Sequence, residues 1–291
     1  MVPAENNERW DEAVYARPPL KWRDGIPVFS EEDEYVENYE RISADHLQAY
    51  YKTGMNPFIT ESLWQECELT TVNAVGARLR PGDRILDVGV GMGRLLEKFP
   101  GIQRYGMDIS HGYLDIARAK GIEVCYARVE DMPYRAETFD IVACTDVLEH
   151  VFDLNLCCRK ILSVLKPGGF LIVRVPNLED LSRYTEPDFP YRYCHLRILD
   201  EASLRLLFER ILGGCRVEEA TLTGFVPRAF RLLYRTPAIM INRMVSVIMR
   251  GIAVYPPLYQ YLIRRLYQAI EVNVVVRKIA SETYKPTDVS C

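Results

Sequence analysis

The period of the apolar positions changes twice along the chain. From Glu31 to Tyr51 they recur at helical spacing, with Tyr35, Tyr39 and Ile42 on one side of an acidic segment. Thr60 to Leu79 repeats the pattern. There Leu63, Trp64, Cys67 and Val75 form a stripe, Thr60 is placed as an N-cap, and Pro81-Gly82-Asp83 supplies a terminating turn. Beyond that turn the runs shorten. Strands are predicted at 84–88, 104–108, 122–126, 139–144 and 169–175, with helices at 93–99, 111–120, 146–165 and 200–212. Further strands at 215–223 and 271–279 complete the series. Such alternation predicts an α/β fold, a parallel sheet with helices on both faces and ligands at the carboxyl ends of the strands. Residues 1–30 have no sustained period and read as an extended arm.

Composition narrows the class. A chain of 291 residues, 48% apolar and 26% charged, can bury a large core, which excludes whole-chain disorder and low complexity. Eight Cys form no CxxC pair and only four His are present, so neither a zinc ribbon nor a disulfide scaffold is expected. The acidic N-terminus lacks the basic and apolar regions of a signal peptide, so a cytoplasmic setting is expected.

The net charge of -4 conceals a split. Residues 228–278 carry nine basic groups against Glu271 alone, a balance of +8, while residues 1–227 sum to -11. An asymmetry of this kind suggests an anionic partner for the basic part.

The most informative stretch is Asp87-Val88-Gly89-Val90-Gly91-Met92-Gly93, between an apolar strand and a helix. Glycines there let the chain turn tightly and let a ligand approach the backbone. The helix start beyond them favours a carboxylate or phosphate. Asp108, at the end of the next strand, stands where an acid accepts hydrogen bonds from ribose hydroxyls. A nicotinamide fingerprint would need a third glycine where Arg94 stands, so the pattern is DxGxGxG.

With ILDVGVGMGRLL, YGMDIS, VEDMPYRAETFDIVACTDVLEHV and LKPGGFLIVRVPN in this order, residues 84–176 resemble the core of a class I S-adenosylmethionine (SAM)-dependent methyltransferase. The likeness extends over roughly 60–225 and 271–279. It implies a seven-stranded, mostly parallel Rossmann-like sheet, SAM as methyl donor, S-adenosyl-L-homocysteine as product, and no metal. Residue by residue it implies that Gly89, Gly91 and Gly93 line the methionine moiety, with Asp87 at the start of the loop. Asp108 would bind both ribose hydroxyls and Ile109 would lie against the adenine. Glu130, Asp131 and Met132 would meet the adenine edge, Asp131 accepting from the exocyclic amine and the Met132 N–H donating to a ring nitrogen. Thr145 and Asp146 would border the sulfonium. A helix over the cofactor would bring Tyr39 to it.

Methyl transfer from a sulfonium is an in-line displacement, and an oxygen or nitrogen acceptor often needs a base, commonly His. His150 and His195 are the candidates. His150 follows Asp146 and Glu149, which are also spaced like an N-cap and its capping-box partner. His195 lies in the long connection from Asn177 to Leu199, whose Tyr184, Phe189, Tyr191 and Tyr193 favour a packed lid, ended by Asp200 as the next N-cap. His46 and His111 read as surface or cofactor-adjacent groups without chemistry.

The predicted organisation is therefore an arm and lid helix (1–59), a SAM-binding core (60–225 and 271–281), a basic apolar helical insertion (226–270) and a tail (282–291). In the insertion Thr236-Pro237 starts a helix whose polar stripe is Arg243, Ser246 and Arg250, and Pro256-Pro257 breaks it. Two Arg inside an apolar stretch argue against a spanning helix. Three roles stay open: lying on an anionic membrane surface at the inner face, capping the pocket, or forming a homodimer seam. Nucleic acid is disfavoured because the basic groups alternate with aliphatics. The expected acceptor is a hydroxyl of a saccharide, polar lipid or lipid-linked intermediate. A cytosolic small-molecule methyltransferase with an enclosed pocket and a non-catalytic SAM-binding scaffold are the alternatives.

Overall fold

The computed structural model of the protein describes residues 10–54, 56, 59–227, 251, 255 and 267–279. Chain order runs β1 (Lys21–Arg23), β2 (Ile26–Val28), α1 (Glu34–Thr53), α2 (Glu61–Gly76), β3 (Arg84–Val88), α3 (Arg94–Glu97), β4 (Gln103–Asp108), α4 (His111–Ala119), β5 (Glu123–Tyr126) and β6 (Phe139–Thr145). It continues with α5 (Leu154–Val164), β7 (Leu165–Pro176), α6 (Glu201–Arg205), β8 (Cys215–Pro227) and β9 (Tyr267–Lys278).

The nine strands among the described residues form one sheet in the order β1-β2-β5-β4-β3-β6-β7-β9-β8. β3 through β7 are mutually parallel, whereas β9 runs antiparallel between β7 and β8. The seven expected strands are all present, and the class is as predicted. The two extra strands come from the arm. Ile26–Val28 pairs with β5 through Val28 and Tyr126, and Lys21–Arg23 folds back on it. The reading of residues 1–30 as an extended arm is thus corrected for residues 10–30: Val14, Tyr15, Ile26, Val28 and Phe29 are buried. A two-residue turn at Asp24-Gly25, both at positive φ, is what the sequence period missed.

Because side chains alternate across a strand, the sheet splits the core in two. Leu86 and Val88 of β3 face a cluster containing α5 (Cys157, Cys158, Ile161) and the helical segment Leu204 to Phe208. Ile85 faces the other, with Val75 of α2, Leu96 of α3, and Leu114 and Ala117 of α4. The chain order reverses at β3, which lies between β4 and β6, so the crevice outside the carboxyl ends of β3 and β6 is the place for a ligand.

Several boundaries move for identifiable reasons. The helix expected at 146–165 starts only at Leu154, with Asp153 as its N-cap accepting from the Leu156 N–H at 2.9 Å. Asp146 therefore does not cap it. Thr60 occupies the N-cap position of α2 without a side-chain cap bond. Asp200 caps α6 as expected, in a reciprocal box with Ser203, and α6 continues as a π-helical segment over Leu206–Leu212.

β8 and β9 run past the predicted core limits, pairing as far as Pro227 and Tyr267. Residues 226–227 and 267–270 thus belong to the sheet rather than to the insertion. The rest of the predicted insertion, the tail beyond 279, and the three roles proposed for that insertion lie outside the described residues apart from Gly251 and Tyr255. Among the described residues no helix is long and apolar enough to cross a membrane.

Candidate active site

The chain leaves β3 through Gly89, Gly91 and Gly93, each at positive φ (76°, 50° and 73°). At Gly89 a side chain is excluded twice over: the φ is left-handed, and a Cβ would collide with Val147 of the loop after β6. Gly91 differs, since a Cβ there would meet nothing within 4 Å. The loop thus presents open space at its tip.

Two acids face this loop. Asp108, at the end of β4, accepts from the Gly91 N–H at 2.8 Å through Oδ2, and from Ile109 and Ser110 N–H at 2.8 and 3.0 Å through Oδ1. Burial pushes its carboxyl up to about 6, against the pull of these three donors. Asp87 is buried, and its Oδ1 has no hydrogen-bond partner. Desolvation, then the nearby Asp108, pushes its carboxyl well up. A buried acceptor without a donor beside a glycine loop with open space fits an ammonium-bearing, ribose-bearing ligand, so the residues present suit SAM.

The adenine-edge residues are placed less simply. Glu130 and Asp131 end a 3₁₀ turn after β5 and, with Met132, line a cleft of about 500 Å³ shared with Arg17, Phe29, Arg128 and Lys160. The Met132 N–H donates to the Val129 carbonyl at 3.2 Å, closing that turn. Ile109 is half-buried against the α2–α4 side of the core.

Beyond β6 the loop is strained and clamped. Thr145 pairs with Arg174 of β7, and Asp146 stands at φ 57°. The Asp146 carboxylate is engaged by the Arg174 guanidinium, which is buried and also lies 3.8 Å from Glu271 of β9. Arg197 donates to the carbonyls of Leu148, Val151 and Phe152, holding the loop from the lid side.

This clamped loop presents Glu149 and His150 to the lid. The rings of His150 and His195 meet edge to face with centroids 4.5 Å apart, so the two predicted candidates do come together. The connection carrying His195 is packed as expected: Tyr193 contacts Tyr35 and Phe152, and Asn38 of α1 binds the Tyr193 carbonyl at 2.8 Å. Tyr39 is drawn into the same cluster. Its hydroxyl lies 2.9 Å from His150 Nδ1 and 3.0 Å from the Cys194 carbonyl.

The hydrogen-bond partners assign both tautomers. The Cys194 carbonyl, 3.2 Å from His150 Nδ1, can only accept. If Tyr39 donates to that carbonyl, His150 Nδ1–H donates to Tyr39 Oη and every group is satisfied. His195 Nδ1 is bound by the Glu179 carboxylate, which also accepts from the Tyr184 hydroxyl at 2.6 Å. In both rings Nδ1 is therefore taken, and Nε2 is the nitrogen turned away from these partners. Burial, then the neighbouring His195, pulls the His150 imidazolium pKa down to about 3.

Sequence reasoning missed Glu149, Glu179, Tyr184, Arg174 and Arg197 as parts of the site. Glu149 has a capping-box spacing that hides it, and nothing local marks the others. His46 and His111, expected at the surface or by the cofactor, are both buried: His46 pairs with the Tyr113 hydroxyl and His111 stacks on Tyr126 at 4.2 Å.

Fold and crevice together define a Rossmann-like α/β protein built around a glycine loop with an acid at the end of the next strand. The family described as "methyltransferase domain" matches residues 86–173. The chain is 30% identical over 194 residues to the ubiquinone/menaquinone biosynthesis C-methyltransferase UbiE of Vibrio campbellii, spanning 60% of this chain and 73% of that protein. It is 40% identical over 113 residues to the ubiquinone biosynthesis O-methyltransferase of Xanthomonas axonopodis pv. citri, 35% of this chain and 47% of that one. A solved SAM-dependent methyltransferase from Archaeoglobus fulgidus superposes with a TM-score of 0.52 at 19% identity, over 75% of this chain and 97% of that one, a likeness of fold. The chain belongs to the class I SAM-dependent methyltransferases. It is an enzyme of that class, with SAM as its cofactor.

Proposed function

We propose that the methyl acceptor is a hydroxyl of a small or lipid-linked molecule, held between the glycine loop and the lid. One observation carries this reading: His150 and His195 converge there with Nδ1 bonded and Nε2 bare. An imidazole beside an acceptor suits an oxygen whose proton must leave as the new bond forms, and burial keeps His150 unprotonated. Bound SAM supplies the activated methyl group on its sulfonium. The chain's part is positional: Gly89, Gly91 and Gly93 admit the donor, Asp87 and Asp108 hold its polar ends, and the lid excludes water.

Charge supports the lipid-linked variant. The basic stretch 228–278 follows β8 in the chain, and β8 ends at Pro227, paired with Tyr267, on the carboxyl edge of the sheet. A membrane-presented acceptor would meet it there. The relatives named as quinone-biosynthesis methyltransferases include both carbon and oxygen methylation, so carbon is the second reading.

The test is product analysis after incubation with 13C-methyl SAM and phenolic, saccharide and polyprenylated acceptors. An O-methyl carbon signal, with the turnover number falling at least about 100-fold in His195→Ala, is expected. A C-methyl signal overturns the oxygen assignment. Co-sedimentation with anionic liposomes at low salt is expected for the lipid-linked variant, and its absence rejects that variant.

A further inference from the structure

The most unusual group in the site is Glu149. It is 1% exposed, lies in the middle of the clamped loop, and neither carboxylate oxygen accepts a hydrogen bond. A carboxyl group in that position costs folding free energy, because burial removes its water and nothing replaces it. A group whose role was only to pack could be apolar at less cost.

Its neighbours explain the geometry. His150 Nε2 is 4.0 Å from Glu149 Oε1. One carboxylate oxygen and one ring nitrogen each from His150 and His195 lie within 4.8 Å of one another. The Nδ1 atoms of both rings are turned away, one onto Tyr39 and the Cys194 carbonyl, the other onto the Glu179 carboxylate. Orienting a ligand imidazole through its far nitrogen, by a carboxylate or a backbone carbonyl, is how metal sites fix the tautomer and raise ligand basicity.

We propose that Glu149, His150 and His195 bind a divalent first-row transition cation through one carboxylate and two Nε2 atoms, with Glu179 and the Cys194 carbonyl as the orienting partners. Two imidazoles and one carboxylate suit Zn2+, Fe2+, Co2+ or Mn2+ rather than Mg2+ or Ca2+, which prefer all-oxygen shells. A tetrahedral cation would hold such donors about 3.4 Å apart, so rotations of about an ångström close the set. Three protein donors leave a position open, as in catalytic rather than structural sites. With the cation bound, both Nε2 lone pairs are committed to it and neither ring serves as the base; an acceptor hydroxyl at the open position would lose its proton to solvent more readily, after which its oxygen forms the O–CH3 bond as the S–CH3 bond breaks. This last step rests on the oxygen reading above, whereas the site itself does not.

The experiment uses the full chain, stripped with chelator and desalted. Titration with Co2+, followed by its d–d absorption, and with Zn2+, followed by calorimetry, is expected to saturate at one equivalent. Glu149→Gln, nearly isosteric, and His195→Ala are each expected to weaken binding at least about tenfold. S-adenosylhomocysteine affinity should stay within about twofold in Glu149→Gln, which shows that the variant is folded. Absence of saturable binding, or equal affinity in both variants, overturns the proposal. Metal binding without S-adenosylhomocysteine binding would keep this site and reject the cofactor geometry instead.

Discussion

At the scale of single residues the cofactor crevice rests on two acids and one glycine. Asp108 holds its proton more tightly in the folded chain than in the unfolded one, since burial raises its carboxyl to about 6. Its contribution to stability is therefore full below about pH 4 and is lost as pH rises through 6. If Asp108 takes the ribose diol as proposed, donation from the diol favours the ionised form and ligand affinity runs the opposite way. Calorimetric titration with S-adenosylhomocysteine is expected to show binding about tenfold weaker at pH 5 than at pH 7.5. Asp108→Asn should flatten that dependence. Gly91→Arg should abolish binding, because the side chain fills the space left open at the loop tip. Its positive φ adds about 1 kcal/mol of strain, so a small drop in thermal midpoint should accompany the loss.

At the scale of elements, the loop between β6 and α5 is the part that local pattern misreads. Asp146 and Glu149 have the spacing of a capping box, yet the helix waits for Asp153. The loop is instead held open by long-range contacts: the Arg174 guanidinium on Asp146, and Arg197 on three carbonyls. No local pattern encodes partners that far away in sequence, which is why Glu149 was legible only as a cap. The same element yields a simple check. Asp153→Ala removes the bond to the Leu156 N–H and should cost about 1 kcal/mol, read as a fall of about 2 °C in thermal midpoint. An unchanged midpoint would mean that the cap contributes nothing. α1 and the lid show the converse case, since their aromatic residues already signalled packing. Tyr35, Tyr39 and Tyr193 do meet, with ring centroids 4.7 to 5.8 Å apart.

For the whole molecule, the N-terminal stretch is part of the core rather than an appendage. Tyr15 is buried and stacks between Phe29 and Tyr134, with centroids at 5.1 and 5.0 Å. Tyr15→Ala is expected to destabilise the protein by about 3–5 kcal/mol, measured by denaturant unfolding. A value under 1 kcal/mol would show that the arm docks without supporting the core.

Much of the fold and half of the site could be read from the chain alone. The alternation of strands and helices, the DxGxGxG loop and Asp108 are local features: their periods, turn residues and spacings are written within a few tens of residues. That determined the α/β class, the crevice and the cofactor. The tertiary structure decided what depends on distant partners. The arm completes the sheet because Val28 finds Tyr126, and Asp87 Oδ1 is left without a donor because burial excludes water from it. Likewise His150 and His195 become one cluster with Glu149 only because the lid folds back over the end of β6. Burial and convergence are properties of packing, and a linear pattern carries neither.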